Sequence, residues 1–294
     1  MALVEALRAQ VRFSFHVWLL VDPETEVGTA PLATVPEPLT NEPPAVIRSR
    51  SATALNRWDT MSSSVESLDR ATEGRREESR FHREVLGPHG VGDVASISFR
   101  DPHGCWGFLD LWRSADDPPF SYSELAALAD AVDSITLALR RCQARSFDTP
   151  TPPAGPPGPA VMFLAPDLRV IGQTPGTDGF LRALLPTETD RRPVQAGTYN
   201  VSAALVAAEE GHFAHPPIAR VRPALATWLT FVAARVDSDR PRDKPAELEE
   251  VTPAPDHGRL PRWTSRTPLH LARHRLVGPT HLRPASASAA HRQP

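Results

Sequence analysis

The stretch that decides the fold is VASISFRDPHGCWGFLDLWRSADDPPFSYSELAALADAVDSITLALRR, residues 94–141. Its opening residues alternate apolar and polar side chains as a strand does, and a Pro-His-Gly turn leads into a second strand over residues 105–114. Ser121 and Glu124 then stand three residues apart, the spacing of a helix capping box, at the start of an amphipathic pattern. The order predicts a β-hairpin followed by a helix over residues 121–144 that packs on it.

The second strand of this hairpin is apolar on both faces, which is typical of a central strand covered on both sides. Its leucines, Leu109 and Leu111, are expected to pack against the helix that follows. The opposite face carries three aromatic side chains and one carboxylate: Trp106, Phe108, Asp110 and Trp112. An aromatic face with one polar group fits either a core or a ligand pocket. We take these four as the candidate ligand-pocket residues, and the purely structural alternative stays open.

The bulk composition describes an ordinary globular chain. Its 294 residues suggest about two domains, and the formal net charge of −3 gives no overall attraction to nucleic acid or to an anionic membrane. The two cysteines, Cys105 and Cys142, lie in different predicted elements, which favours a reduced, cytoplasmic location. The apolar run at residues 13–21 is too short to span a bilayer and is interpreted as a buried strand.

Composition also divides the chain. Residues 1–146 hold the hairpin and its helix, and the proline-rich segment FDTPTPPAGPPGP at 147–159 predicts an extended linker. Residues 160–240 follow as strand–turn–strand, two short helices and two strands, a small unit with an antiparallel sheet. Residues 241–294 show no sustained period and predict a disordered tail. The predicted fold class is therefore α+β, with two antiparallel-sheet domains and a tail.

The segment GCWGFLDLWRSADDPPFSYSELAALADA, residues 104–131, resembles the end of a GAF domain. The likeness lies in the order of a central hairpin, a proline-phenylalanine turn and a long C-terminal helix. It covers residues 94–141 well and residues 1–93 loosely. The resemblance implies a GAF-like sheet between helices, a signal-sensing role, and a ligand side on which Trp106 and Phe108 would lie.

The second unit resembles a reduced PAS-type sensor in the segment AVMFLAPDLRVIGQTPGTDGFLRALLP, residues 160–186. The whole chain, from VWLLVDPETEVGTAPLATVP through RFHREVLGPHG to AARVDSDRPRD, is similar to the sensor half of actinobacterial LuxR-family transcriptional regulators. Such proteins are expected to end in a helix-turn-helix domain that reads the major groove. Residues after 240 show no such pattern, and their Arg-Pro-His-Ala-Ser bias is what a GC-rich gene yields in a shifted frame. We expect that the DNA-binding domain was lost by a frameshift near codon 242.

Candidate chemical groups are scattered. His82, His89, His103 and Cys105 fall within a short span, but their spacing fits no standard metal site, so we predict no metal and no cofactor. His16 lies on the early strand among core residues, which argues against haem ligation. The sequence contains no nucleophile elbow, phosphate-binding loop or dinucleotide fingerprint, so we predict that the protein is not an enzyme.

The function predicted from the sequence is the sensory part of a LuxR-type regulator. It would bind a small-molecule or protein signal and would not itself bind DNA specifically. One alternative is a non-enzymatic interaction scaffold, a homodimer formed through the long helix. A second is non-specific nucleic-acid binding by residues 257–294, which carry arginine and histidine and no acidic residue.

Overall fold

A computed structural model describes the conformation of most of the first half of the chain and of segments of the second. The described residues are 2–148, 160–177, 181, 196–221, 229–236 and 246–249. They form two five-stranded sheets, in which every paired strand is antiparallel, together with flanking helices. The α+β class predicted from the sequence is confirmed. No helix in this described part is long and apolar enough to cross a membrane.

The first sheet is built around the predicted hairpin. Its strands are β1 (Phe15–Val21), β2 (Gly28–Thr34), β3 (Val65–Ser67), β4 (Val91–Asp101) and β5 (Gly104–Ser114), in the order β2-β1-β5-β4-β3. Strand β5 is central, as the two apolar faces of its sequence predict. The turn before it depends on Gly104, whose φ of 144° suits glycine, and a side chain there would collide with the carbonyl oxygen of Pro23.

Helices cover both faces of this sheet. The helices of this half are α1 (Ala2–Arg8), α2 (Glu37–Thr40), α3 (Pro43–Ser51), α4 (Leu68–Ala71) and α5 (Tyr122–Asp148), with a π-helical turn at His82–Leu86 and 3₁₀ turns at Arg76–Glu78 and Gly87–His89. Helices α1 and α5 bury their apolar stripes against Leu109 and Leu111 of β5. The shorter helices and the π-helical turn pack on the opposite face, around Trp112.

The predicted capping box at the start of α5 is present. The backbone N–H of Glu124 donates to Oγ of Ser121 at 3.3 Å, and the backbone N–H of Ser121 donates to Oε2 of Glu124 at 2.8 Å. Glu124 also accepts a bond of 2.7 Å from the guanidinium of Arg113 on β5. Arg113 is the first cause of a fall in the pKa of Glu124 to about 2. The cap therefore fixes the helix to the hairpin as well as starting it.

The segment between β1 and β4 is built from short elements. Residues 31–34 complete β2, and residues 37–40 form α2. Helix α3 ends at Ser51 with Ala52 as its C-cap, and Asn56, farther along, has a left-handed backbone with φ of 48°. Pro31 is tolerated in β2 because this strand is at the edge of the sheet and one side of its backbone needs no partner.

The second sheet matches the predicted strand–turn–strand and the later strand pair. Its strands are β6 (Met162–Leu164), β7 (Val170–Gln173), β8 (Ile218–Val221), β9 (Leu229–Arg235) and β10 (Ala246–Glu249), in the order β7-β6-β10-β9-β8. Helix α6 (Ala196–Glu209) packs on it through Val201 and Phe231. We call the part built on the first sheet the first lobe, and the part built on the second sheet the second lobe.

Strand β10 corrects one expectation. The sequence pattern predicts that Ala246–Glu249 belong to a disordered tail, but all four residues pair with β9 and the first three also pair with β6. Without them, two adjacent strands would leave open edges, and open edges need a backbone partner. The linker over residues 149–159, most of the expected helix near residues 179–186 and the tail beyond 249 lie outside the described residues, and the domain boundaries stay predictions.

Candidate functional site

A buried ion pair lies at the centre of the aromatic face of β5. Asp110 and Arg50 of α3 have side chains that are 1% and 7% exposed, and Nε of Arg50 donates to Oδ2 of Asp110 at 3.0 Å. The same guanidinium donates to the carbonyl oxygen of Asn56 at 2.8 Å and to Oγ of Ser96 at 3.2 Å. A buried charge is stable only when paired and hydrogen-bonded, so this network satisfies both groups.

Trp58 closes the network on one side. Its indole N–H donates to Oδ1 of Asp110 at 2.8 Å, and its ring stacks on Phe108 with centroids 5.0 Å apart and an interplanar angle of 4°. The guanidinium carbon of Arg50 lies 4.1 Å from the centroid of the same indole ring. Trp58 is thus held by an aromatic ring, a carboxylate and a cation together.

Phe81 continues this layer on the other side of Arg50. Its ring centroid lies 5.7 Å from the guanidinium carbon, and its ring meets Trp112 edge to face at 6.0 Å. From Phe108 to Trp112 the face is therefore filled by alternating aromatic and charged side chains.

The four candidate ligand residues do not share one pocket. Trp112 is wholly buried in core, Asp110 is bound by Arg50, and Phe108 is the member that lines a cavity. The pairing register of β4 and β5 shifts beside Trp106, so Trp106 is not aligned with Phe108. Cys105 packs against Phe108 in its place. A bulge of this kind interrupts the two-residue alternation on which the sequence analysis relied. A ligand role for these residues stays a prediction.

The cavity beside Phe108 has a volume of about 80 Å³. It lies between the first lobe and α6, and its walls include Leu19, Trp58 and Asn200. Ligand pockets usually have volumes of roughly 300–1,000 Å³, so this one suits a few water molecules. Nδ2 of Asn200 is buried and has no hydrogen-bond partner among the described residues, which makes it a natural donor to such a water.

A second buried ion pair joins the two lobes. Asp22, in the turn after β1, and Arg220, on β8, have side chains that are 2% and 15% exposed. Nε and Nη2 of Arg220 donate to the two carboxylate oxygens at 2.7 and 2.9 Å, and the backbone N–H of Arg220 adds a bond of 2.9 Å. Nη2 also donates to Glu24 at 2.7 Å. Burial alone would lower the pKa of Arg220, but the bonds and charges of Asp22 and Glu24 outweigh it and raise that pKa.

The candidate metal ligands are far apart. His82 and His89 precede β4, while His103 and Cys105 follow it, and an eleven-residue strand spans roughly 33 Å. No group of three or more His, Cys, Asp or Glu side chains suited to a metal occurs in the described part of the chain. Burial raises the pKa of the Cys105 thiol to about 12, so this cysteine is an inert core residue.

His16 is a buried group whose environment the sequence analysis could not describe. It is 2% exposed on β1, and neither ring nitrogen has a hydrogen-bond partner among the residues the structure describes. Burial, followed by the charge of Arg8, lowers the pKa of its imidazole. His16 is therefore held neutral in the core beneath α1.

Similar solved structures are GAF domains. One is the GAF domain of a two-component sensor histidine kinase from Bacillus halodurans, at 15% identity over 49% of this chain and 92% of that one, with a TM-score of 0.32. Another is a GAF domain/HD domain protein from Geobacter sulfurreducens, at 16% identity over 48% and 90%, with a TM-score of 0.30. A third is the PixJ GAF domain of Thermosynechococcus elongatus in its blue-light-absorbing form, at 15% identity over 49% and 84%, with a TM-score of 0.31.

Likenesses this distant carry no information about function, and each covers about half of the chain. No protein-family model matches the chain, and no curated protein is similar enough to be matched to it. The function must therefore be argued from the site itself.

Proposed function

We propose that the chain is a non-catalytic regulatory module, the sensory part of a LuxR-type transcriptional regulator that responds to a small-molecule or protein signal in the cytoplasm. The observation that carries this proposal is the buried Asp22–Arg220 contact. It ties the turn of the first sheet to a strand of the second through hydrogen bonds of 2.7–2.9 Å. A signal that displaces one lobe must strain this contact, so the second lobe responds to events at the first.

The state of the buried polar groups supports a non-catalytic role. A general acid, base or nucleophile needs an accessible group with a suitable pKa. Asp110 is enclosed by Arg50 and Trp58, and the thiol of Cys105 has a pKa of about 12. These groups hold the fold. The sequence resemblance supports the LuxR context, the two separate cysteines support the cytoplasmic location, and the absence of a helix-turn-helix pattern in the sequence after residue 240 supports the lack of specific DNA binding.

The filled aromatic face also limits where a signal can bind. A cavity of about 80 Å³ beside Phe108 cannot accept a metabolite unless the stack of Trp58 and Arg50 opens. Opening it would break a buried ion pair, which costs several kcal/mol. A signal that binds at this face must therefore open the stack of Trp58 and Arg50.

The second candidate function is an interaction scaffold that takes no ligand, and the same filled face favours it. A thermal-shift screen of the full chain against a metabolite set separates the two. A sensory module is stabilised by at least one compound, by about 2.7 kcal/mol when the ligand is at a hundred times its Kd. A scaffold gives no such compound and self-associates in sedimentation velocity at micromolar concentration. A monomer that no metabolite stabilises would contradict both the scaffold and the small-molecule form of the sensory proposal.

A further inference from the structure

A larger cavity lies between the lobes on the outer side of α3. Its volume is about 300 Å³, at the lower end of the range in which small-molecule sites fall. Its walls come from the end of α3, from the turn between β6 and β7, and from α6. The cleft is thus formed by both lobes, and a ligand there would touch each of them.

Three arginines line this cleft: Arg48 of α3, Arg80 before the π-helical turn, and Arg235 at the end of β9. One carboxylate, Glu210, lines it as well. The remaining wall is made largely of apolar residues, of which Pro166 is exposed and Val206 half-buried, while Leu168, Ala203 and Ala207 are buried behind them. A cationic wall facing an apolar one is the arrangement that suits an organic anion.

Two of these arginines are held in place by carboxylates. Nε of Arg80 donates to Glu84 at 2.7 Å, and Arg235 donates to Glu209 through Nε and Nη2 at 2.9 and 2.6 Å. Glu84 accepts a hydrogen bond from Nε of Arg80, so the terminal amino groups of Arg80 can still donate hydrogen bonds to a ligand. The guanidinium planes are therefore oriented before any ligand arrives, which lowers the entropy that binding must overcome.

Arg48 completes the cationic wall. It is exposed and makes no hydrogen bond or ion pair within the described part of the chain. Glu84, a carboxylate on the same side, accepts from both Arg80 and Ser49 and so already has partners. Among the described residues of the cleft, Arg48 therefore adds a complete set of hydrogen-bond donors to those left on Arg80.

We infer that this cleft binds a small organic anion, with a single carboxylate or phosphate group on Arg48 and Arg80 and an apolar body against Pro166 and Val206. Glu210 disfavours a second anionic group near the end of α6. This inference rests on the proposed sensory function and names the chemical class of its signal.

The test uses the full chain and three probes that share a phenyl ring: benzoate, phenyl phosphate and benzamide, which is the neutral isostere of benzoate. Affinities are measured by isothermal titration calorimetry and thermal shift at one ionic strength set with sodium chloride. Benzoate, phenyl phosphate or both should bind and raise the Tm, and benzamide should not. The better of the two anions tells whether carboxylate or phosphate is the preferred group.

Arg48→Gln should weaken binding about tenfold, since a hydrogen bond to a charged group is lost. Arg141→Gln is the matched control, because Arg141 is an exposed arginine on α5 that does not line the cleft, and its affinity should equal that of the unchanged chain. Binding of benzamide as tight as that of the anions, equal affinity of Arg48→Gln, or no binding of either anion overturns the inference. If the anions fail while the metabolite screen still finds a stabilising compound, the cleft assignment falls and the sensory proposal stands.

Discussion

Replacing Asp110 by alanine should strongly destabilise the protein. The change removes the acceptor of bonds of 3.0 and 3.3 Å from Arg50 and of 2.8 Å from the Trp58 indole. Because both charged side chains are at most 7% exposed, the guanidinium would be left as an uncompensated buried charge. Removing one partner of such a pair costs about 3–5 kcal/mol, a large part of the roughly 5–15 kcal/mol by which domains are stable.

The assay is urea unfolding followed by tryptophan fluorescence. With an m-value of about 2 kcal/mol per M, a loss of about 4 kcal/mol lowers the unfolding midpoint by about 2 M. The double variant Arg50→Met with Asp110→Leu should recover most of this loss, since no unpaired charge remains. Asp130→Ala, at an exposed carboxylate on α5, is the control and should stay within about 0.5 kcal/mol of the unchanged chain.

A buried and hydrogen-bonded pair is refuted if the free energy of unfolding of Asp110→Ala is within about 1 kcal/mol of that of the unchanged chain. It is also refuted if the double variant is no more stable than Asp110→Ala. In either case the aromatic face would be open enough for water to solvate Arg50, and a ligand pocket at Phe108 would regain support.

Three further predictions follow from the other buried groups. Arg220→Gln leaves Asp22 buried without its cation, so the Tm should fall and the single calorimetric transition should broaden or split as the lobes lose their coupling. His16 has a lowered pKa in the folded state, so the unfolded chain binds its proton first. The contribution of His16 to the free energy of unfolding is therefore complete above pH 6.5 and is lost as the pH falls below that value. Urea unfolding midpoints at pH 5 and pH 7.5 measure this difference. Iodoacetamide at pH 8 should label the exposed Cys142 and leave the buried Cys105 unlabelled under native conditions, as read by mass spectrometry.

Each of these has a control and a contrary outcome. Arg141→Gln should leave the calorimetric transition unchanged, and a sharp, unshifted transition in Arg220→Gln would show that the lobes are not coupled through that residue. His16→Leu should reduce the difference between the two pH values, and an equal difference in this variant would assign it to another group. Equal labelling of both cysteines would mean that the strand carrying Cys105 opens readily.

The sequence predicted best the elements whose signals are local. The hairpin of β4 and β5 and the helix α5 depend on alternation, on a turn and on a cap formed by residues three positions apart, and each of these was present. Strand β10 was missed because its four residues are supported by β6, which is distant in the chain. A strand of four residues is stabilised mainly by its neighbouring strands, so its own sequence does not predict it.

In the candidate site, too, the sequence predicts what depends on neighbouring residues and misses what depends on distant ones. An aspartate in a buried apolar strand needs a charged or hydrogen-bonding partner, so Asp110 indicates from the sequence that such a partner exists. The partner is Arg50, 60 residues away, and nothing local distinguishes it from the other arginines of the chain. A register shift of β4 against β5 beside Trp106, which no residue pattern predicts, interrupts the alternation that places Trp106 on the face of Phe108.

Helix α3 carries both Arg48 and Arg50, and this limits how a signal can travel. Two residues correspond to about 200° around a helix, so one arginine reaches the cleft while the other reaches the core. Moving α3 would break the pair of Arg50 with Asp110 at about 3–5 kcal/mol, more than the 1–3 kcal/mol of a typical allosteric coupling. We therefore expect α3 to stay in place when the proposed ligand binds to Arg48, and the second lobe, linked to the first by the Asp22–Arg220 contact, to be the part that responds.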